Sequence, residues 1–364
     1  MNPILVEVLR GDTVESRHRG ALAVLDADGA AVATLGDIDR PIFARSAVKV
    51  LQALPLVESG AADQLALTDE ELAIACASHN GEEAHTQVAA RMLAKAGLDV
   101  DALECGTHWP GLDTATRTLA ARGREPTALH NNCSGKHTGF LCLACALHGG
   151  GVGGAGGAGG LNLRQYVRGY VAPDHPVMRE VSAALQAATG YDLAHAARGT
   201  DGCSIPTFGI PLRHLAHAFA RVGTGIGLRE GHARAAKRLR QAVARAPFMV
   251  AGTGRFDTTV MQRLGERVFC KVGAEGVFCA ALPQRGLGVA IKIDDGNNAR
   301  AAEVVMAAVI EAFVALDDGD AVLMNTLSQP VLKNWNGITV GCLRPAEAMR
   351  VPAGDKQSGG TTSS

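Results

Sequence analysis

The chain has 364 residues with a formal net charge of −1, and its positive side chains are scattered along it. It therefore lacks the basic stripe that nucleic acid or an anionic membrane surface selects, and a small neutral or zwitterionic ligand suits it better. The length allows one large domain or two intimately joined ones around a sizeable core. The amino terminus, Met1-Asn2-Pro3-Ile4, shows no basic segment followed by an apolar one. The longest apolar helix expected, Val304 to Leu316, is broken by Glu311 and is too short to span a bilayer. A soluble, cytoplasmic protein with no nucleic-acid or membrane partner is expected. Nine cysteines, an odd number, are then expected to be reduced thiols.

In chain order, Ile4 to Leu9, Gly20 to Leu25 and Ala31 to Leu35 read as strands, with Asp26-Ala27-Asp28-Gly29 as the turn of a hairpin. From Ser46 to about residue 247 the pattern is helical, with Ala/Leu-rich runs at Ala84 to Ala96 and Ala233 to Ala246. Strand character returns at Arg267 to Lys271, Val277 to Leu282 and Gly288 to Ile293, and a helix is expected over Ala299 to Leu316. The fold class predicted is α/β of the α+β type, one antiparallel sheet built from both chain ends with a helical subdomain between. The domains expected are residues 1–45 with 250–345 for the sheet and 46–249 for the helical part. Gly149 to Gly160, almost all glycine, valine and alanine, reads as a mobile surface loop, and 351–364 as a disordered tail.

Where the first strands give way to helix stands Arg45-Ser46-Ala47-Val48-Lys49, a Ser-x-x-Lys pair. Positions three apart on a helix share a face, so the Lys49 amine can approach the Ser46 hydroxyl and act as its base, provided burial or a second cation lowers its pKa. After the apolar run Leu72 to Cys76 comes Ser78-His79-Asn80, a Ser-x-Asn at a loop. Near the far end Lys271-Val272-Gly273 is a Lys-x-Gly on a strand. Ser-x-x-Lys, Ser-x-Asn and Lys-x-Gly in this order form the motif set of penicillin-recognising serine enzymes. In this reading Lys271 is the second cation, Ser78 relays a proton, and the N–H groups of Ser46 and Ala274 form an oxyanion hole. The plainer reading of Lys271 is an exposed edge-strand lysine.

A second polar constellation is His130-Asn131-Asn132-Cys133-Ser134-Gly135-Lys136-His137, echoed by Gly199-Thr200-Asp201-Gly202-Cys203-Ser204. Cys133 and Cys203 could share a zinc ion with His137, His130 or Lys136 as a nitrogen ligand, or they could be two buried core thiols.

These stretches, with Cys105-Gly106-Thr107-His108-Trp109-Pro110, Met249 to Thr258 and Lys271 to Cys279, resemble the Rhizobium etli type of L-asparaginase over nearly the whole chain. The resemblance implies a serine β-lactamase/glutaminase-like fold and a homodimer that hydrolyses L-asparagine to L-aspartate and ammonia. It implies Ser46 with Lys49 and Ser78 with Lys271 as catalytic pairs, and zinc held by Cys133, Lys136 and Cys203 near the substrate. Asp201 resembles a substrate-site residue. Selecting free asparagine also needs partners for its amine and carboxylate: Asp201 and Glu275 suit the amine and Arg45 the carboxylate, with Asn80 and Ala274 beside them. Two other classes use the same residues, a serine amidohydrolase of β-lactamase or esterase type, and a zinc or thiol sensor without turnover.

Overall fold

The computed structural model describes residues 1–149 and 161–350. The glycine-rich stretch from 150 and the tail from 351 lie outside the described residues.

An antiparallel sheet forms the base of the molecule. Its strands are β1 (Ile4–Arg10), β2 (Thr13–Asp26), β3 (Ala31–Leu35), β7 (Phe269–Val272), β8 (Val277–Leu282), β9 (Leu287–Ile293), β10 (Val331–Lys333) and β11 (Thr339–Pro345). They run in the order β10-β11-β1-β2-β9-β8-β7, with β3 also paired to β2. Both chain ends thus build one sheet, as expected. β2 is long enough to pair with β1 through Thr13–Arg19 and with β9 through Gly20–Asp26, joining the amino-terminal hairpin to the carboxyl-terminal meander. The hairpin turn closes at Gly29, whose φ of 87° is open to glycine. β8 is buried along its whole length, so it reads as a continuous apolar run rather than an alternating one.

The helix Leu212–Thr224 lies directly on this sheet. It can do so because Gly288 has no side chain: a Cβ there would come within 2.0 Å of the Ala216 carbonyl oxygen. The helix expected over Ala299 to Leu316 is a π-turn, Asn298–Ala302, followed by the α-helix Glu303–Phe313.

Along the chain, the helical part comes between the two segments that build the sheet. Its centre is Ser134–His148, buried on nearly all sides, which is why its sequence from Phe140 to Leu147 is apolar all round rather than striped. The helices Asp69–Ala75 and Glu83–Lys95 pack on it. Asp69–Ala75 begins with a capping box in which Thr68 and Glu71 satisfy each other's backbone N–H groups, and it ends just before Ser78. A small antiparallel sheet absent from the sequence reading ties the insert to the strand before it: β4 (Pro41–Phe43), β5 (Arg198–Thr200) and β6 (Pro206–Pro211), in the order β4-β6-β5. It holds the chain on the way into Ser46 close to the chain on the way into Cys203.

Candidate active site

The end of β4 leads into a tight turn, Arg45–Val48, that carries Ser46, and the next short helix begins at Lys49. Arg45 has φ of 51°, a left-handed conformation costly for a side chain with a Cβ. Ser204 and Glu275, beside the other motifs, are strained in the same sense. Ser46 is half-buried, whereas Lys49 is 1% exposed.

The Lys49 ammonium points away from the partner that spacing suggests. Its Nζ donates to the Ala77 carbonyl at 2.5 Å, to Ser78 Oγ at 2.9 Å and to Cys133 Sγ at 3.1 Å. No hydrogen bond joins it to Ser46 among the described residues. The shared helical face brings the two Cβ atoms together, but a four-carbon side chain reaches past its neighbour to the loop where three acceptors meet. Lys271 likewise makes no bond to Ser78: its Nζ donates to the Val272 carbonyl at 2.8 Å. Lys271 stands on the sheet's last strand yet is fully buried, so it is not the solvated edge lysine of the plainer reading.

The thiols lie on the other side of Lys49. Lys136 Nζ donates to Cys203 Sγ at 3.0 Å, Cys203 Sγ donates to Asp201 Oδ2 at 3.2 Å, and Arg45 Nε donates to Asp201 Oδ1 at 2.5 Å. Cys133 lies beside Cys203 and accepts from Lys49 Nζ, which brings these groups up to Lys49. Three fully buried lysines in one neighbourhood are unusual, because an unpaired buried ammonium is costly.

Charge is distributed unevenly over this cluster. Burial lowers Lys49, with Lys136 adding to the effect and Cys133 opposing it. Burial lowers Lys271 to about 7, with Lys49 and Arg255 pressing the same way and Asp257 against. Burial also opposes a charge on Lys136, but Cys133 and Cys203 outweigh it and raise that lysine. The neighbouring Cys203 holds the Cys133 thiol well below its ordinary value against burial, helped by Lys49 and Lys136. Cys133, with burial, raises Cys203 in turn. The pair thus gives up one proton far more readily than two. Burial disfavours the Asp201 carboxylate, yet Lys136, Arg45 and Cys203 together lower its pKa.

The donor set is compatible with zinc. Two converging thiols and an amine are ligands that this ion accepts, and binding would release the protons now held by Lys136 and Cys203. Of the three nitrogens left open by the sequence, Lys136 Nζ is the one bonded to a thiol. His137 Nδ1 is paired with the Tyr170 hydroxyl at 2.7 Å, and His130 Nδ1 accepts from the Thr127 N–H at 3.0 Å. Among the described residues no group of three or more His, Cys, Asp or Glu side chains is arranged to hold a metal ion, so an ion here depends on the lysine.

The remaining expected residues are spread more widely. The Asn80 amide is committed to the chain at 253–255, donating to the Thr253 carbonyl at 2.9 Å and accepting from Arg255 at 3.2 Å. Ala274 is half-buried, and its N–H has no partner among the described residues. Glu275 is exposed, with its carboxylate over Gly296. Two residues were not singled out from sequence: Asp257, whose Oδ1 accepts from the Val272 N–H at 2.8 Å, and Asn298, whose Nδ2 donates to the Gly273 carbonyl at 3.0 Å. Asp257 sits inside the Met249–Thr258 motif and could have been found there; Asn298 lies in no motif. A cleft of about 550 Å³ opens nearby, lined by Glu82, Leu112, Arg122 and His130 among others, but none of Ser46, Lys49, Lys271 or Cys203 borders it. The chemistry follows the buried cluster and not this larger hollow.

No curated protein gives a significant match to the chain. A solved structure described as "Crystal Structure Analysis of Mglu" is similar at 16% identity, over 78% of this chain and 64% of that one, with a TM-score of 0.33. The chain thus spans less than two thirds of that protein's length. The sequence model of the L-asparaginase II family matches residues 6–345, nearly the whole length, and the chain belongs to that family of amidohydrolases.

Proposed function

We propose that the chain is an L-asparaginase that hydrolyses L-asparagine to L-aspartate and ammonia through an acyl-enzyme on Ser46. The observation that carries this reading is the convergence of Lys49, Lys136 and Lys271, all fully buried, on the serine and cysteine motifs of a chain from this family. Ser46 Oγ attacks the side-chain carbonyl carbon of asparagine, and its proton passes to the Lys49 amine, directly or through Ser78, which is bonded to Lys49. The oxyanion is received by the Ser46 and Ala274 N–H groups. The C–N bond breaks as the lysine returns the proton to the leaving nitrogen, and ammonia departs. A water then attacks the ester and gives a proton to the same base, which passes it to Ser46 Oγ as the acyl C–O bond breaks and aspartate is released.

Lys271, with Ser78, is the second pair of this reading; burial and the neighbouring Lys49 disfavour a proton on Lys271, so it stands there as an amine above pH of about 7. Asp201 and Glu275 receive the substrate amine and Arg45 its carboxylate, with Asn80 holding the adjoining loop. Cys133, Lys136 and Cys203 would hold a zinc ion, which would supply a cationic anchor for the substrate; two thiolates neutralise its charge and make it a weak source of hydroxide. A homodimer is part of the same reading, supported by the exposed Val331, Trp335 and Ile338 at the sheet's β10–β11 end.

One observation favours a second assignment within this chemistry. The Lys49–Ser78 bond makes Ser78 the hydroxyl already paired with a base, although it is only 5% exposed. Ammonia release from asparagine, glutamine and asparaginyl dipeptides, with mass spectrometry of rapidly quenched enzyme, tests both. Asparagine turnover with the acyl group on Ser46, lost in Ser46→Ala, is the expected result. An adduct on Ser78 reassigns the nucleophile, and nitrocefin hydrolysis without ammonia release overturns the substrate.

A further inference from the structure

The turn between β7 and β8 carries one of the two oxyanion donors, and a side chain far along the chain fixes its direction. The Gly273 N–H donates to the Val277 carbonyl at 2.8 Å, and the Val277 N–H to the Ala274 carbonyl at 3.3 Å. Glu275 and Gly276, with φ of 57° and 71°, bring the chain round between them. The turn abuts the segment that enters Ser46: a Cβ on Gly273 would stand 2.9 Å from the Ala44 carbonyl oxygen. The Ala274 N–H is therefore close to the candidate nucleophile, with no protein partner among the described residues.

A trans peptide unit is planar, and its C=O and N–H point in opposite directions. The carbonyl opposite the Ala274 N–H is that of Gly273, and Asn298 Nδ2 donates to it at 3.0 Å. Holding that carbonyl holds the N–H. Without the bond, glycine at 273 gives this peptide wide freedom to rotate, and the donor could turn out of the site. The amide's orientation follows from its partner, since a carbonyl oxygen must be met by a donor and not by Oδ1. Asn298 Oδ1 is buried with no partner among the described residues, so the side chain gives up one of its own bonds in this position. Asn298 also begins the π-turn Asn298–Ala302, a rare geometry that recurs at functional sites and that here anchors the asparagine to the helix behind the sheet.

We infer that Asn298 is a positioning residue for the hydrolysis: it pins the Gly273–Ala274 peptide so that the Ala274 N–H faces the oxyanion formed at Ser46. This rests on the reading of Ser46 as nucleophile. Two variants without the donor test it, Asn298→Leu, of similar shape, and Asn298→Ala. Turnover of asparagine, melting temperature, and affinities for aspartate and for a boronic-acid analogue of asparagine that forms a tetrahedral adduct on serine are measured beside Ser46→Ala. The expected result is a kcat lower by about 10- to 100-fold, smaller than the loss of an oxyanion donor itself, with KM within about threefold. Boronate affinity should fall in parallel while aspartate affinity holds. A merely structural tie between the turn and the helix would lower the melting temperature and weaken both ligands alike, and that outcome overturns the inference. So does an unchanged kcat in either folded variant while Ser46→Ala is inactive. Wild-type turnover in Ser46→Ala removes the nucleophile assignment first, and the inference with it.

Discussion

The two sides of the site differ in how fully their polar groups are paired. On the thiol side Lys136, Cys203, Asp201 and Arg45 form a continuous chain of hydrogen bonds, and beside it Lys49 bonds both Cys133 and Ser78. On the sheet side, among the described residues, Lys271 bonds only to its neighbour's carbonyl and the Ala274 N–H has no partner. A buried network whose members satisfy one another is rigid and suits binding and orientation. Unpaired donors beside a half-buried hydroxyl suit a group that appears only during reaction. The difference separates holding the substrate from transforming it, and Lys49 is the residue where the two sides meet.

Breaking that junction should have the largest effect. Lys49→Met is expected to lower kcat by about 10³-fold or more, the range lost with a general base. The protein should still fold, since the buried amine gives way to an apolar chain of similar length. Ser46→Ala combined with Lys49→Met should be scarcely worse than either single change, because they serve one step. Steady-state ammonia release measures this, and losses that multiply would show that the two act separately.

The sheet side can be isolated by pH. Lys271, lowered to about 7 chiefly by burial, is mostly neutral above that pH. If its neutral form is required, kcat/KM should rise up to about tenfold per unit below pH 7 and level off above it. Lys271→Arg, which stays charged, should remove the limb along with most of the activity. A profile flat from pH 5.5 to 8.5 in the wild type would rule out this role. The stability sign is separate. The unfolded lysine, near its ordinary 10.5, takes up a proton first as pH falls, so stability declines from about 10.5 to about 7 and Lys271 contributes no further change below that.

The thiol side should respond with a smaller effect on a different constant. Cys203→Ser, or chelator treatment, is expected to raise KM about tenfold while kcat stays within about threefold, as for lost ground-state binding. Initial-rate kinetics distinguish this from the contrary case, a kcat that falls to background and returns with added zinc, which would move the metal from holding the substrate to making the nucleophile.

How much of this was legible in the sequence depended on range. β3 and β8 have the limits expected, and β1 and β9 agree within a residue, because apolar runs ending in turn residues such as Gly29 state their own boundaries. β4, β5 and β6 were missed: two are three residues long, and prolines at 41, 206 and 211 speak against strands. The helix Asp318–Ser328 was missed because its face is weakly apolar and Gly319 lies in its first turn. In the site, residue types and spacings were readable, since chemistry is local to a motif. The pairings were not, because the direction of a long side chain such as Lys49 is set by loops 28 and 84 residues away. Asn298 gave no signal, since it acts through a backbone carbonyl 25 residues earlier.

The smallest effect on turnover is expected behind the sheet side, at Glu303. This residue opens the helix that follows the π-turn, and burial raises it to about 7, with Asp257 adding to the shift and Arg255 opposing it. Asp257 is itself bonded to the Val272 N–H on the strand of Lys271, with its second oxygen buried and unpaired among the described residues. The fold therefore keeps a proton on Glu303 that the unfolded chain releases near 4.5, so the wild type should lose stability as pH rises from 4.5 to about 7 and none further from this group above that. Glu303→Gln removes the charge at every pH. Its melting temperature should match the wild type near pH 4.5, rise above it through neutrality, and hold a constant lead beyond pH 7, worth at most about 3 kcal/mol before solvent screening. Turnover at pH 8 should change less than about twofold if charge near Lys271 is governed by its own burial and not by this carboxylate. Thermal unfolding across pH 4.5–8.5 decides it: a variant less stable than wild type at pH 8 would mean that the Glu303 carboxylate is ionised and paired, and that the sheet side is as closely knit as the thiol side.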